Sequence, residues 1–207
     1  MKKYLAYASI VLSVLLARLV PFHWIVGSWG ASFSCSTMIA PVLGTYAGLG
    51  WLALFLVPIK GKSCLTLLMF VLHRLPLLGA ACAYQGRHVL TWIIVPMICM
   101  MLFVVHPIGM QAWPYAMYWC IPMMLWFLDD TIWSRALSAS FVAHGVGSVI
   151  WLYAGNIAAP VWHGLIGVVF VERLCMAGGM IAGDLVVVAY RRIGQDITQR
   201  LRIADCL

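Results

Sequence analysis

Seven apolar runs follow one another almost end to end in this chain and leave little polar sequence from which to build a water-facing surface. They cover residues 4–20, 37–59, 64–84, 89–105, 111–128, 134–154 and 160–190. Most are close to the roughly 20 residues that carry an α-helix through a hydrocarbon core about 30 Å thick. Charged residues make up 9% of the sequence, against about a quarter in a soluble domain, so lipid is the main solvent. In lipid the backbone must satisfy its own hydrogen bonds, which makes these runs helices. The expected fold class is all-α: a polytopic integral membrane helical bundle, one transmembrane domain over residues 1–207, with a short cytoplasmic tail from about residue 191.

The net charge of +7 is clustered. Lys2 and Lys3 open the chain, Lys60 and Lys62 share one short connection, and Arg191, Arg192, Arg200 and Arg202 lie near the end. Such clustering follows the positive-inside rule and does not describe a nucleic-acid patch. It predicts a multi-pass protein of the cytoplasmic (inner) membrane with both termini cytoplasmic. The first run ends at Arg18 and Pro21 without a small-residue cleavage pattern, so it reads as a retained helix and not a signal peptide.

Two cytoplasmic termini require an even number of spans, and seven runs do not supply one. Pro96, Pro107, Pro114 and Pro122 interrupt the stretch from Val89 to Leu128, and proline breaks helical hydrogen bonding. The expectation is about six transmembrane helices plus one broken or re-entrant segment within that stretch. Lys60 and Lys62 then fall inside, and Arg87 is left outside. The last run, at ~1.5 Å per residue, reaches roughly 45 Å and must tilt, kink or project beyond the bilayer.

No GxSxG, HExxH or P-loop pattern occurs, and the seven cysteines form no CxxC pair. The reading is therefore a chain that is not an enzyme, with no metal site and no cofactor. With no ATPase signature, active transport would draw its energy from a partner or an ion gradient.

Ionisable residues within spans are expensive and mark function or a specific brace. They are Arg18, His73 with Arg74, His144, Glu172 with Arg173, and Asp184. Counted from the turn near Asn156, His144 and Glu172 lie at similar depth, roughly 20 Å in, and Arg74 about 15 Å in. A buried Glu–Arg pair would offset the cost of either charge alone. These residues form either a structural clamp or the floor of an outward-facing pocket. Asp184 is expected at the inner headgroups. On the outer side, His23, Trp24 and Trp29 in the first loop and Asn156, Trp162 and His163 at the last turn make either an interfacial belt or a lid and pocket wall. Asp129-Asp130 reads as a membrane-boundary marker.

The first helix carries Ser9, Ser13 and Ala17 at four-residue spacing, and Gly44/Gly48 and Gly179/Gly183 repeat the spacing. Small residues let membrane helices approach closely, within the chain or on a partner. This stripe, the Pro21–Ser36 loop behind it, the segment Ala40-Pro-Val-Leu-Gly44-Thr-Tyr-Ala-Gly48 and a long last helix with Glu172 and a basic end resemble the substrate-binding S components of energy-coupling factor vitamin transporters. Serines stand at two of the positions where that family carries alanines. The resemblance implies a subunit that binds a vitamin-like small molecule from outside. It would dock through Ser9, Ser13 and Ala17 on a transmembrane coupling subunit driven by ATPases. Candidate ligand contacts are Trp24, Trp29, Arg74, His144, Asn156, Trp162, His163 and Glu172. A non-catalytic membrane scaffold or assembly protein is the alternative, and a membrane-embedded enzyme using His144, Glu172 or Asp129 is the third reading.

Overall fold

The computed structural model describes residues 21–22, 33–34, 36–47, 74–155 and 157–204. These residues are all-helical apart from one antiparallel pairing of two dipeptides, β1 (Pro21–Phe22) with β2 (Phe33–Ser34). The helices are α1 (Ser36–Ala47), α2 (Leu75–Tyr84), a π-helical turn (Leu90–Ile94) continuing into α3 (Val95–Val105), α4 (Pro107–Gln111), α5 (Trp113–Ala116), a 3₁₀ turn (Met117–Trp119), α6 (Cys120–Leu125), α7 (Ile132–Gly155) and α8 (Ala159–Ala204). Among the described residues, two stretches, Ile132–Gly155 and Ala159–Ile193, are long and apolar enough to cross a membrane.

Proline sets the irregularities. Pro96 has no N–H for the carbonyl four residues back, and the preceding turn widens into a π-turn in which the Val95 N–H reaches the Leu90 carbonyl. His106 is extended (φ −72°, ψ 134°), as a residue before proline favours, and this ends α3. Its Nδ1 then accepts the Ile108 N–H, so the breaking residue also caps the next helix. Pro107 and Pro114 sit in the first two positions of α4 and α5, where a missing N–H is tolerated. The limb from Pro107 to Leu125 is thus a chain of short helical pieces.

The proline-rich stretch runs the height of the bundle twice. Arg87, before the π-turn, donates from Nη1 to the carbonyls of Trp126 (3.0 Å) and Leu128 (2.9 Å). At the other end, Tyr153 Oη donates to the Leu102 carbonyl, and His163 Nε2 to that of Gln111. Residues 89–105 therefore run one way and 107–128 return beside them. The expected break falls at His106-Pro107, between these two antiparallel limbs. Arg87 also lies at the same end as Asp129 and Asp130, opposite the turn at 155–159, where the sequence reading had placed it. Its guanidinium occupies carbonyls that α6 leaves open at its C-terminus and lies over the Trp126 ring (5.3 Å). Arg87→Ala is expected to destabilise by about 1 kcal/mol, read by thermal unfolding in detergent; no change would show that water replaces the cap.

The tightest packing joins α2 to α7 through small residues. Ala80, Ala83, Ala136 and Ala139 are buried between them. A Cβ on Gly79 would touch Val142 at 3.4 Å, and one on Gly147 would touch Pro76 at 3.6 Å. Such surfaces let helix backbones approach in a membrane. α1 lies along α8 in the same way: a Cβ on Gly179 would collide with the Met38 side chain, and Gly183 faces Val42. The Gly179/Gly183 pair therefore packs within the chain. Thr131 and Ser134 cap α7 reciprocally, each hydroxyl accepting the other's backbone N–H (3.2 and 2.8 Å).

The last helix exceeds its sequence expectation. It starts at Ala159 and runs unbroken to Ala204, 46 residues, through the segment expected as a tail. Gly109, in α4, is buried so closely that a Cβ would run into the Phe103 carbonyl oxygen, a backbone atom. Gly109→Ala is expected to destabilise by about 2–3 kcal/mol; an unchanged melting temperature would contradict that fit.

A buried polar cluster and the candidate site

The broken limb carries Tyr115, Tyr118 and Trp119 at i, i+3 and i+4, the spacing of one helical face. All three turn toward α7 and α8. On α7, Ser140, His144 and Ser148 recur every four residues and form the facing polar stripe. His144 is 8% exposed. Trp119 Nε1 donates to its Nδ1 at 3.1 Å, and its Nε2 lies 2.6 Å from Tyr115 Oη.

An indole N–H only donates, so Nδ1 carries the lone pair and the ring proton sits on Nε2. His144 Nε2–H then donates to Tyr115 Oη, and Tyr115 Oη shares a further hydrogen bond with Ser148 Oγ at 3.2 Å. Both ring nitrogens are engaged. An added proton on Nδ1 would face the indole N–H, donor against donor. Aromatic walls surround the cluster: Phe103 packs on Tyr115 (5.6 Å), Trp119 (5.3 Å) and Trp162 (5.2 Å). Trp162 is buried and donates to the Ile157 carbonyl at 3.1 Å.

One layer nearer the basic end, Tyr118 donates to the Ile166 carbonyl at 2.6 Å, stacked between Phe141 and Phe170. Below it lie Glu172 and Arg173, whose side chains are 9% and 6% exposed and form an ion pair. Ser140 Oγ donates to the Arg173 carbonyl at 3.0 Å and ties α7 to α8 at this level. Glu172 thus pairs with its chain neighbour; an i, i+1 pair does not share a helix face, so both side chains must bend together.

Arg74 stands half-buried just before α2, its carbonyl accepting the Leu77 and Leu78 N–H groups. His163 is exposed and bonded to Gln111 at the other end. Asp184 is half-buried and accepts from Tyr46 Oη at 2.7 Å, with the Arg191 guanidinium over the Tyr46 ring at 4.2 Å. It anchors α1 to α8, which the headgroup reading did not include. Trp24, Trp29, Asn156 and the docking stripe Ser9, Ser13 and Ala17 lie outside the described residues.

So, of the sequence-predicted set, the structure brings His144, Trp162 and Glu172 into one buried column. Tyr115, Trp119 and Arg173 complete it. The first two were missed among the prolines, although their three- and four-residue spacing was legible.

Just before α7, Asp130 binds Arg135 through both oxygens (2.7 and 2.8 Å). That bond holds the Asp130 carboxyl below its usual range. A depressed carboxylate stabilises the fold above its unfolded pKa and loses that contribution as pH falls through the folded value. The stability difference between the wild type and Asp130→Asn is therefore expected to shrink on acidification below about pH 4; a constant difference would remove the ion pair as its cause.

Comparison with protein-family models, curated proteins and solved structures finds no match to this chain.

Proposed function

We propose that this chain is a multi-pass inner-membrane protein that binds a polar, vitamin-like small molecule in its helical core and takes part in its uptake, docked on a partner that supplies energy. The observation that carries this reading is the broken limb 107–125, which brings Tyr115 and Trp119 to His144 beside the buried Glu172–Arg173 pair. Interrupted helices at membrane depth are tolerated where the backbone is buried in protein or lines a cavity, and they recur at transporter binding sites. Buried ionisable groups there carry a functional reading by default.

Topology follows from charge. No Lys, Arg, Asp or Glu occurs from Val89 to Leu128 or from Ala136 to Val171. The end holding Arg87, Arg135, Arg191 and Arg192 is therefore cytoplasmic and the 155–159 turn external. The C-terminus is cytoplasmic in this reading and residues 89–193 make four passes; a cytoplasmic N-terminus then requires that one of the three apolar runs before Gln85 does not cross. Reporter fusions after Gln85 and within the 155–159 turn are expected on opposite sides of the membrane; the same side for both would refute the arrangement.

For function, the test is native purification followed by mass spectrometry of retained small molecules and co-eluting subunits. His144→Gln and Glu172→Gln, each in folded protein, are expected to lower ligand retention at least tenfold; unchanged retention would sink the uptake reading. One observation favours a scaffold as second reading: both His144 nitrogens are already bonded, as in a brace. Co-elution of membrane proteins without ATPases would favour it.

A further inference from the structure

We infer that the small molecule bound in this core is a zwitterion, recognised at Glu172 and Arg173. The inference rests on the uptake reading and adds the ligand's charge class. Two opposite full charges sit side by side in sequence, both more than nine-tenths buried, within a helix long and apolar enough to span a bilayer. Adjacent positions on an α-helix point about 100° apart. The carboxylate and guanidinium therefore meet only by bending together.

The charge of this site constrains its ligand. The pair is net neutral, and from Ala136 to Val171 the sequence holds no Lys, Arg, Asp or Glu. A ligand with a single charge would leave one member of the pair, or itself, uncompensated where water is excluded, which is strongly disfavoured. A ligand carrying both an ammonium and a carboxylate exchanges one ion pair for two and keeps the site neutral at each stage. Arg173 suits the carboxylate, since its planar fork can bind both oxygens, and Glu172 accepts the ammonium protons. Tyr118 and Phe170, one turn toward the outer end, offer an apolar wall for the ligand's remainder.

The test uses matched libraries on the purified full chain, by equilibrium dialysis with mass-spectrometric readout: the twenty L-amino acids, their decarboxylated amines and their deaminated acids. The wild type is expected to retain members of the amino-acid library at least tenfold above either other library. Glu172→Gln is expected to shift retention toward acids and Arg173→Gln toward amines, a switch in charge preference that a structural role would not produce. Should either single variant fail to fold, Glu172→Gln/Arg173→Gln keeps the site neutral and is expected to fold yet lose retention; undiminished retention there overturns the inference. Wild-type retention of amines or acids at the level of amino acids overturns the zwitterion class while leaving uptake standing. Retention of no library, by folded protein, overturns the inference as well, and the uptake reading then stands or falls on its own retention test.

Discussion

Arg173→Ala is expected to lower the stability of the folded protein by roughly 3–5 kcal/mol, because it leaves the Glu172 carboxylate buried without its partner. Glu172→Ala should have a similar effect from the opposite side. The informative comparison is the double variant Glu172→Met/Arg173→Met. Replacing a buried pair by apolar side chains of similar volume is close to neutral or stabilising, so the double variant should melt near the wild type and well above either single one. Reversible unfolding in mixed micelles measures all three. If the single losses simply add in the double variant, the two charges do not interact in the folded state, and the zwitterion inference loses its footing too.

The second large effect is at His144. His144→Leu is expected to cost about 2–4 kcal/mol, by stranding both the Trp119 N–H and the Tyr115 hydroxyl in an apolar surround. Trp119→Phe removes the donor instead of the acceptor and leaves the Nδ1 lone pair open. A double-mutant cycle between the two should give a coupling of about 0.5–3 kcal/mol. Zero coupling would contradict the tautomer assigned to the ring, since that assignment depends on this one bond.

Much of the architecture was legible because a membrane simplifies the physics. Apolar length and unsatisfied backbone groups dictate helices, and α7 and α8 begin within two residues of where their runs begin. The break at His106-Pro107 was legible for the same local reason. What the sequence did not reveal was direction. Four prolines showed that the helix is interrupted, but a broken segment that stops and one that returns carry the same residues. The difference lies in Arg87 reaching Trp126 and Leu128, a contact between positions some 40 residues apart. The same limit applied to Glu172. Depth estimates put it level with His144, whereas Arg173 beside it is tied to Ser140, one turn further along α7; height along a helix also leaves azimuth open, and its partner is Arg173. For Asp184 the sequence offered no sign of Tyr46, which approaches from α1 and donates to its carboxylate.

The unbroken helix α8 has a mechanical consequence. Its 46 residues make a rod of about 69 Å at ~1.5 Å per residue, more than twice the thickness of the hydrocarbon core. The displacement from any tilt of such a rod grows with distance from its pivot. A tilt of about 5° about the Trp162 end would carry Ala204 through roughly 6 Å by that length. The displacement from a small tilt at the polar column is therefore larger at the arginine-rich end of the rod.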